Sequence, residues 1–551
     1  MTIEETFASA LKNHQENNLE VAQNLYEKIL KTNSDHFGSI FYLGALFAKV
    51  NNFQEAKKLF KKATEIQPKF SPAYTNLGSV FQKLGELQQA ANCCKKAIEI
   101  APKNPIPHAN LGVILKDLGE FEKAINCCQR AIEIAPSYTS SYHNLALIFQ
   151  ELSEIQKAID CYEELKQIEP NSLKAHQNLG RLYVVLGNTQ KAINSYQEAL
   201  KYEPENLQHY YDLISLNKEI LNLNLKNKIN EIIKNKNCTK NNLAYGSFLL
   251  AKYEFNEKKY EKEFDYLLKG HRYYFDLESK KYKNDVGYWL NKLPETKELF
   301  DFNKSNVVIK ATNHAIKPIF IVGVPRCGST LVEKIITSGV QSISAGEEIG
   351  ILSTFVKKKI IESQSLSSGI EDFRIKLFEK YNNKRLIKEE SNYTFTDKTL
   401  DNFFYIGLIK QIFPKAKVIN CRRSALSSIM SILKNNLPGV PWAHNLEHIF
   451  KYFDIYNKMI ENFNKIFPSF IYELRLEKLS SEPEEESKKL IKFCDLTWDK
   501  KCLEFYKRKD LISKTTSNLQ IRKAIYQHSL EKDLPYKQFL NRYGDSYSWF
   551  K

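Results

Sequence analysis

Along the first 204 residues, apolar and small positions return in fixed registers every 34 residues. Prolines stand at Pro68, Pro102, Pro136, Pro170 and Pro204, and alanines at Ala22, Ala56, Ala90, Ala124, Ala158 and Ala192. Asn76, Asn110, Asn144 and Asn178 each lead into Leu-Gly or Leu-Ala, and Gly85, Gly119 and Gly187 form a further register with Ser153 in the missing place. The pattern predicts six helix–turn–helix units: 1–34, 35–68, 69–102, 103–136, 137–170 and 171–204. Small residues such as Gly78 and Ala90 let paired helices approach, the glycine register suits the turn between them, and proline ends each second helix. The first unit has Ser34 where proline is expected, as befits a capping repeat.

From about Asn206 to Lys310 the period disappears into Lys-, Asn-, Leu- and Tyr-rich segments such as LNLNLKNKINEIIKNKN, which predict helices. Their aromatic positions are expected to pack against the last repeat or the next domain, and no site is assigned to them. The pattern changes again at Lys317–Gly323, an apolar, β-branched run that predicts a strand, with a helical pattern from LVEKIITS onward. A second apolar run, AKVIN, reads as a buried strand leading into a helix from Ser424. The expected organisation is therefore repeats at 1–204, a connecting helical region at 205–310, and an α/β domain at 311–551 whose parallel sheet is flanked by helices.

At 551 residues, two or three domains are expected, and 43% hydrophobic with 26% charged residues is the balance of a folded chain. No apolar run reaches 18 residues, and the opening segment carries acidic residues where a secretory signal has a basic region and an apolar core. A cytoplasmic protein with no membrane span is the expectation. Ten cysteines occur without a CxxC pair, and Cys93, Cys127 and Cys161 keep the 34-residue step on the buried face of each second helix. They are expected to be reduced packing residues. The net charge of +16 suits either a polyanionic partner or solvated lysines plus a site for a phosphorylated ligand. No basic run interleaved with aromatics marks a nucleic-acid stripe, so no nucleic acid is expected as a partner. No cluster of His, Cys and carboxylate at ligand spacing suggests a metal.

The chemistry is concentrated after the first predicted strand. Gly323, Gly328, Ser329 and Thr330 match the spacing of a nucleotide-triphosphate loop, except that Ser329 stands where that loop has its lysine. A loop without that lysine suits a less charged 5'-phosphosulfate held by backbone N–H groups, hydroxyls and one cation, here Arg326.

The segment GVPRCGSTLVEKII resembles the 5'-phosphosulfate loop of sulfotransferases, and is most similar to tyrosylprotein sulfotransferases and to bacterial enzymes that join tetratricopeptide repeats to a sulfotransferase domain. The 34-residue units likewise resemble tetratricopeptide repeats. The resemblance spans about Lys317 to Tyr547 and implies a sulfotransferase using the donor 3'-phosphoadenosine 5'-phosphosulfate (PAPS). By match, Gly346-Glu347-Glu348 supplies Glu348 as general base, the FTDKTLDNFF block supplies Lys398 on the leaving side of the sulfuryl group, and Arg423 with Ser431, eight residues on, binds the 3'-phosphate. Arg326, Cys327, Gly328, Ser329 and Thr330 belong to the 5' end of the donor, Ser517 matches a serine touching the transferring group, and Lys532 a basic residue near the 3'-phosphate.

Four departures stand against the family pattern: Ser424-Ala425 replaces Asp-Pro, Thr399-Leu400 replaces an apolar-proline pair, Leu476 replaces tyrosine, and Gly350 replaces an arginine of the tyrosylprotein enzymes. They support an alternative in which the repeats are a scaffold and the C-terminal domain a degenerate, inactive relative. His444 is a rival base. The repeat groove is expected to hold a protein or peptide, and the acceptor hydroxyl to lie on a polypeptide, saccharide or small molecule.

Overall fold

The computed structural model describes residues 2–296, 299, 316–341, 343–362, 370–387, 393–508, 512, 513, 515, 518, 520–525 and 531–550. They form two compact units, Met1–Ala175 and His176–Lys551.

In the first unit, paired helices follow the 34-residue period: Ile3–Gln15 with Leu19–Thr32, Phe37–Lys49 with Phe53–Ile66, Ser71–Lys83 with Leu87–Ile100, Pro105–Leu118 with Phe121–Ile134, and Thr139–Glu151 with Ile155–Ile168. Ala22, Ala56, Ala90, Ala124 and Ala158 are wholly buried where the helices meet. In the four later pairs the second helix stops two residues short of its proline, and the residue before proline is held out of helical backbone. Gln67, Ala101 and Ala135 accordingly have ψ of 82°, 74° and 88°. Burial raises the thiols of Cys94, Cys128 and Cys161 to about 12, which leaves them protonated packing groups.

The turn inside each pair needs a left-handed residue, and the structure extends that register beyond its glycines. Asn17, Asn51, Gly85, Gly119 and Ser153 have φ of 64°, 62°, 78°, 83° and 61°. Asparagine tolerates this conformation, whereas serine is strained in it. Ser153→Gly is therefore expected to stabilise the repeats by roughly 0.5–1 kcal/mol, the relief of strain exceeding the added freedom of the unfolded chain, and a higher urea midpoint is the check.

The second unit begins within helix Leu173–Leu186, so the sixth predicted repeat, completed by Thr189–Tyr202, packs with the C-terminal body. Helices Leu207–Leu216, Leu223–Lys234, Lys240–Asn256, Tyr260–Leu277 and Ser279–Gly287 follow. Next comes a five-stranded sheet of β1 (Lys317–Gly323), β2 (Ser344–Ala345), β3 (Thr394–Asp397), β4 (Lys417–Arg422) and β5 (Ile471–Arg475). Every pairing is parallel and the order is β2-β3-β1-β4-β5. The chain thus turns to opposite sides of β1, and a crevice opens beyond the carboxyl ends of β1 and β4.

One hydrophobic core runs from Leu207 through the sheet to Phe550, and the aromatic residues of the connecting helices build it. Phe264 stacks on Phe539 at 5.2 Å, and Tyr274 on His444 at 4.8 Å. His444 and His271 are buried with their Nδ1 atoms 3.0 Å apart, and His271 Nε2–H donates to the Leu433 carbonyl at 2.9 Å. That bond leaves His271 Nδ1 as the acceptor for His444. His444 is absent from the lining of the cavity described below and is committed to this packing.

Burial lowers His271 to about 4, and burial with the nearby His271 lowers His444 to about 3. In the unfolded chain both take up protons near pH 6.5, so the folded state loses stability as pH falls from about 6.5 towards 4. Between pH 7.5 and 5, the His444→Gln variant is expected to lose about 1–2 kcal/mol less unfolding free energy than the unmodified protein, as measured by urea titration.

Candidate active site

The loop after β1 passes through Arg326, which has φ of 71°, and Gly328, with φ of 93°, into helix Ser329–Thr337, which lacks a side-chain N-cap. Backbone donors at such a helix start attract anions. Arg326 Nε donates to Ser431 Oγ at 3.0 Å, and Arg423 Nη1 donates to the Arg326 carbonyl at 3.3 Å. The loop assigned to the 5' end thus meets the arginine and serine assigned to the 3' end.

Arg326, Gly328, Thr330, Arg423, Ser431 and Lys532 line one cavity of about 540 Å³, which is within the usual size of a small-ligand site. Its described lining carries seven basic side chains against two carboxylates, Glu263 and Asp533, so the cleft favours an anion. Lys532 is exposed at its edge. The Cys327 side chain turns into the sheet instead. Its thiol is held below the ordinary value by a hydrogen bond from Cys421, then by Ser329 and the Lys398 charge, against the effect of burial. Ser329 is buried beside Cys327 and, like Cys327, is absent from the described lining. Ser517 lies outside the described residues.

The segment after residue 512 ties the loop to the last helix pair. Thr515 Oγ1 is 3.2 Å from Thr330 Oγ1, and Arg326 Nη2 lies 3.5 Å from Gln520 Oε1. Asn518 Nδ2 donates to the Val184 carbonyl and Arg522 Nη2 to that of Val185, each at 2.7 Å.

Glu348 and Lys398 form a separate centre. Lys398 follows β3, is wholly buried, and donates through Nζ to Glu348 Oε1 at 3.1 Å, while the Glu348 side chain is 57% exposed. Burial pulls the Lys398 ammonium down, but the carboxylates of Glu348, Glu333 and Glu347 outweigh it and keep the group above the ordinary lysine value.

Glu347 is turned inward. Lys334 Nζ donates to its Oε1 at 3.2 Å, and its own N–H donates to Glu333 Oε1 at 2.9 Å. Glu333 also accepts from Thr396 Oγ1 at 2.8 Å. Glycine is required at 346 because a Cβ would stand 2.2 Å from the Thr396 carbonyl. Asp397 is buried and accepts from Tyr381, the Thr399 N–H and Asn402, so the conspicuous Asp and Asn of this block are structural.

Several cleft residues carry no signal in the sequence. Phe255, Glu263 and Lys252 come from the connecting helices, to which no site was assigned; the structure corrects that expectation by making these helices one wall. Lys434 donates to Tyr536 OH at 3.0 Å and pairs with Glu263 at 3.7 Å; Ser427 Oγ donates to Asp533 at 2.7 Å. No local motif marks these residues, because each acts through a partner distant in the chain. Among the described residues one carboxylate group, Glu482, Glu485 and Glu486, has ligand-like spacing, and Lys478 and Lys489 already pair with it.

If Glu347 is structural and Glu348 is free to react, their neutral variants must separate. Glu347→Gln is expected to cost about 3 kcal/mol of unfolding free energy by breaking a buried pair, and Glu348→Gln less, about 1–2 kcal/mol, because Glu348 is itself exposed and Glu333 and Glu347 still face the buried Lys398, read by chemical denaturation.

Residues 318–500 match the model of the sulfotransferase family. Residues 40–70, 71–104, 105–138, 139–172 and 173–206 match tetratricopeptide-repeat models. A protein of Aquifex aeolicus (strain VF5) described as uncharacterized is 31% identical over 315 residues, covering 54% of this chain and 40% of that relative's length. Among solved structures, MamA aligns at 22% identity over 30% of this chain and 96% of its own, with a TM-score of 0.28. YrrB, described as a repeat protein with an unusual peptide-binding site, aligns at 20% identity over 34% of this chain and 96% of its own, with a TM-score of 0.27. No helix among the described residues is long and apolar enough to cross a membrane. With both kinds of family-model match falling on the elements described above, the chain carries tetratricopeptide repeats followed by a sulfotransferase-family domain.

Proposed function

We infer that the domain transfers a sulfuryl group from PAPS to an acceptor hydroxyl, leaving adenosine 3',5'-bisphosphate. The observation that carries this reading is the convergence of Arg326, Ser431 and Arg423 on one basic cavity at the carboxyl ends of β1 and β4. An arginine fork matches phosphate oxygens in geometry and charge, and a neighbouring hydroxyl adds a further hydrogen bond. With Ser329 in place of the loop lysine, the site is less suited to a magnesium-bound triphosphate.

In the transfer the acceptor oxygen attacks sulfur in line with the bridging oxygen. The new oxygen–sulfur bond forms as the bond to the 5'-phosphate breaks, and the hydroxyl proton passes to Glu348. Glu348 is exposed, which leaves it accessible to an acceptor. Lys398, kept cationic by three carboxylates, steadies charge on the departing oxygen. Ser517 is proposed to assist there, and Lys532 at the 3' end.

The departures from the family pattern fit an intact site. The Gly350 N–H donates to Thr399 Oγ1 at 2.8 Å, so two of them compensate each other. The Ser424 N–H donates to Glu477 Oε1 at 2.8 Å at the start of the Ser431 helix. Leu476 packs where a Cβ on Gly328 would stand 2.7 Å from its Cδ1. The repeats are proposed to bind a protein or peptide, either the acceptor or a partner that presents it.

Calorimetry on the full chain is expected to detect binding of adenosine 3',5'-bisphosphate, weakened about tenfold or more by Arg423→Ala. Glu348→Ala and Lys398→Ala should retain measurable binding yet lower transfer from labelled PAPS about a hundredfold or more. Tight binding of magnesium-ATP with no binding of the bisphosphate would overturn the reading.

A further inference from the structure

Phe255 is the penultimate residue of the long connecting helix Lys240–Asn256 and is 43% exposed. Among the described residues it is the one exposed large hydrophobic side chain that lines the cavity. A ligand that covered this phenyl ring in the cation-rich cleft would remove apolar surface from water. The ring is also held in place: Lys434 Nζ lies 4.6 Å from its centroid, and Lys434 is fixed by Tyr536 OH at 3.0 Å and by Glu263 at 3.7 Å. A cation lies over the ring, and Phe255 lines the cavity.

The position along the cleft limits what that ligand can be. Lys434 stands three residues beyond Ser431, about one helical turn or 5 Å along the helix that carries the phosphate-binding serine. In a nucleoside 3'-phosphate the ribose separates phosphate from base by a comparable distance. The loop residues Arg326, Gly328 and Thr330 mark the other end of the cavity, and Glu348 and Lys398 are absent from its described lining. Leu221, Ala251 and Leu267, from the same connecting region, also line the cavity.

We propose that Phe255 is the stacking platform for the donor's purine ring, which makes the connecting helices part of the nucleotide site and a determinant of its specificity. The proposal rests on the donor reading above. Lys434 then has a second role, since a cation against one face of a phenyl ring holds it flat for a base on the other. The domain would need these helices to hold the nucleotide well.

The test measures adenosine 3',5'-bisphosphate and inorganic pyrophosphate, a probe with charge but no base, on the full-length protein and its Phe255→Ala, Phe255→Trp and Arg423→Ala variants. Stacking on an aromatic side chain predicts a roughly tenfold loss of bisphosphate affinity in Phe255→Ala, recovery to within about threefold in Phe255→Trp, and unchanged pyrophosphate affinity. If Arg423→Ala weakens the bisphosphate while Phe255→Ala binds as the unmodified protein does, the base lies elsewhere and the proposal fails while the donor reading stands. An equal loss for both probes in Phe255→Ala marks the ring as a support of the fold and also overturns it. No binding of the bisphosphate to the unmodified protein overturns the donor reading and the proposal together.

Discussion

Lys398 is a lysine with no exposed surface, and removing an ammonium group from water is costly unless fixed negative charge surrounds it. Glu348 at 3.1 Å meets that need, helped by the fields of Glu333 and Glu347. Three carboxylates around one cation would in turn be over-charged, and Lys334, pairing with both Glu333 and Glu347, restores the balance. The close passage of Gly346 over Thr396 presses the Gly-Glu-Glu segment against β3, so that one glutamate faces the buried network and the next faces solvent. The outward orientation of Glu348 is thus a consequence of burying the lysine.

The cleft depends on a second constraint, the shared core. The connecting helices and the sheet bury their apolar residues in one cluster, which leaves the helices no independent position from which to swing away. The buried His271–His444 contact fastens the same two parts. The cavity therefore has walls from segments far apart in the chain, with Phe255 and Lys252 on one side and the loop after β1 on the other.

Much of this was legible beforehand where structure is local. The 34-residue registers became helix pairs because alanine at each close approach, and proline after every second helix but the first, act within a few residues. The left-handed turns at Asn17 and Asn51 were less visible, because asparagine meets the same backbone requirement as glycine without sharing its letter. The strand, loop and helix at Lys317–Thr337 formed where the pattern put them. The departures at Thr399 and Gly350 looked independent in the sequence, and only their hydrogen bond across 49 residues relates them.

By itself, then, the sequence determined the repeats and the strands at Lys317–Gly323 and Lys417–Arg422 with the loop and helix after the first, since these depend on neighbours one turn or one strand apart. Tertiary structure alone decided that Arg326 reaches Ser431 across 105 residues, that Cys327 turns inward, and that the aromatic connecting helices wall the cleft. Those outcomes arise from long-range burial and charge pairing, whose partners are chosen by packing and leave no period or spacing in the chain.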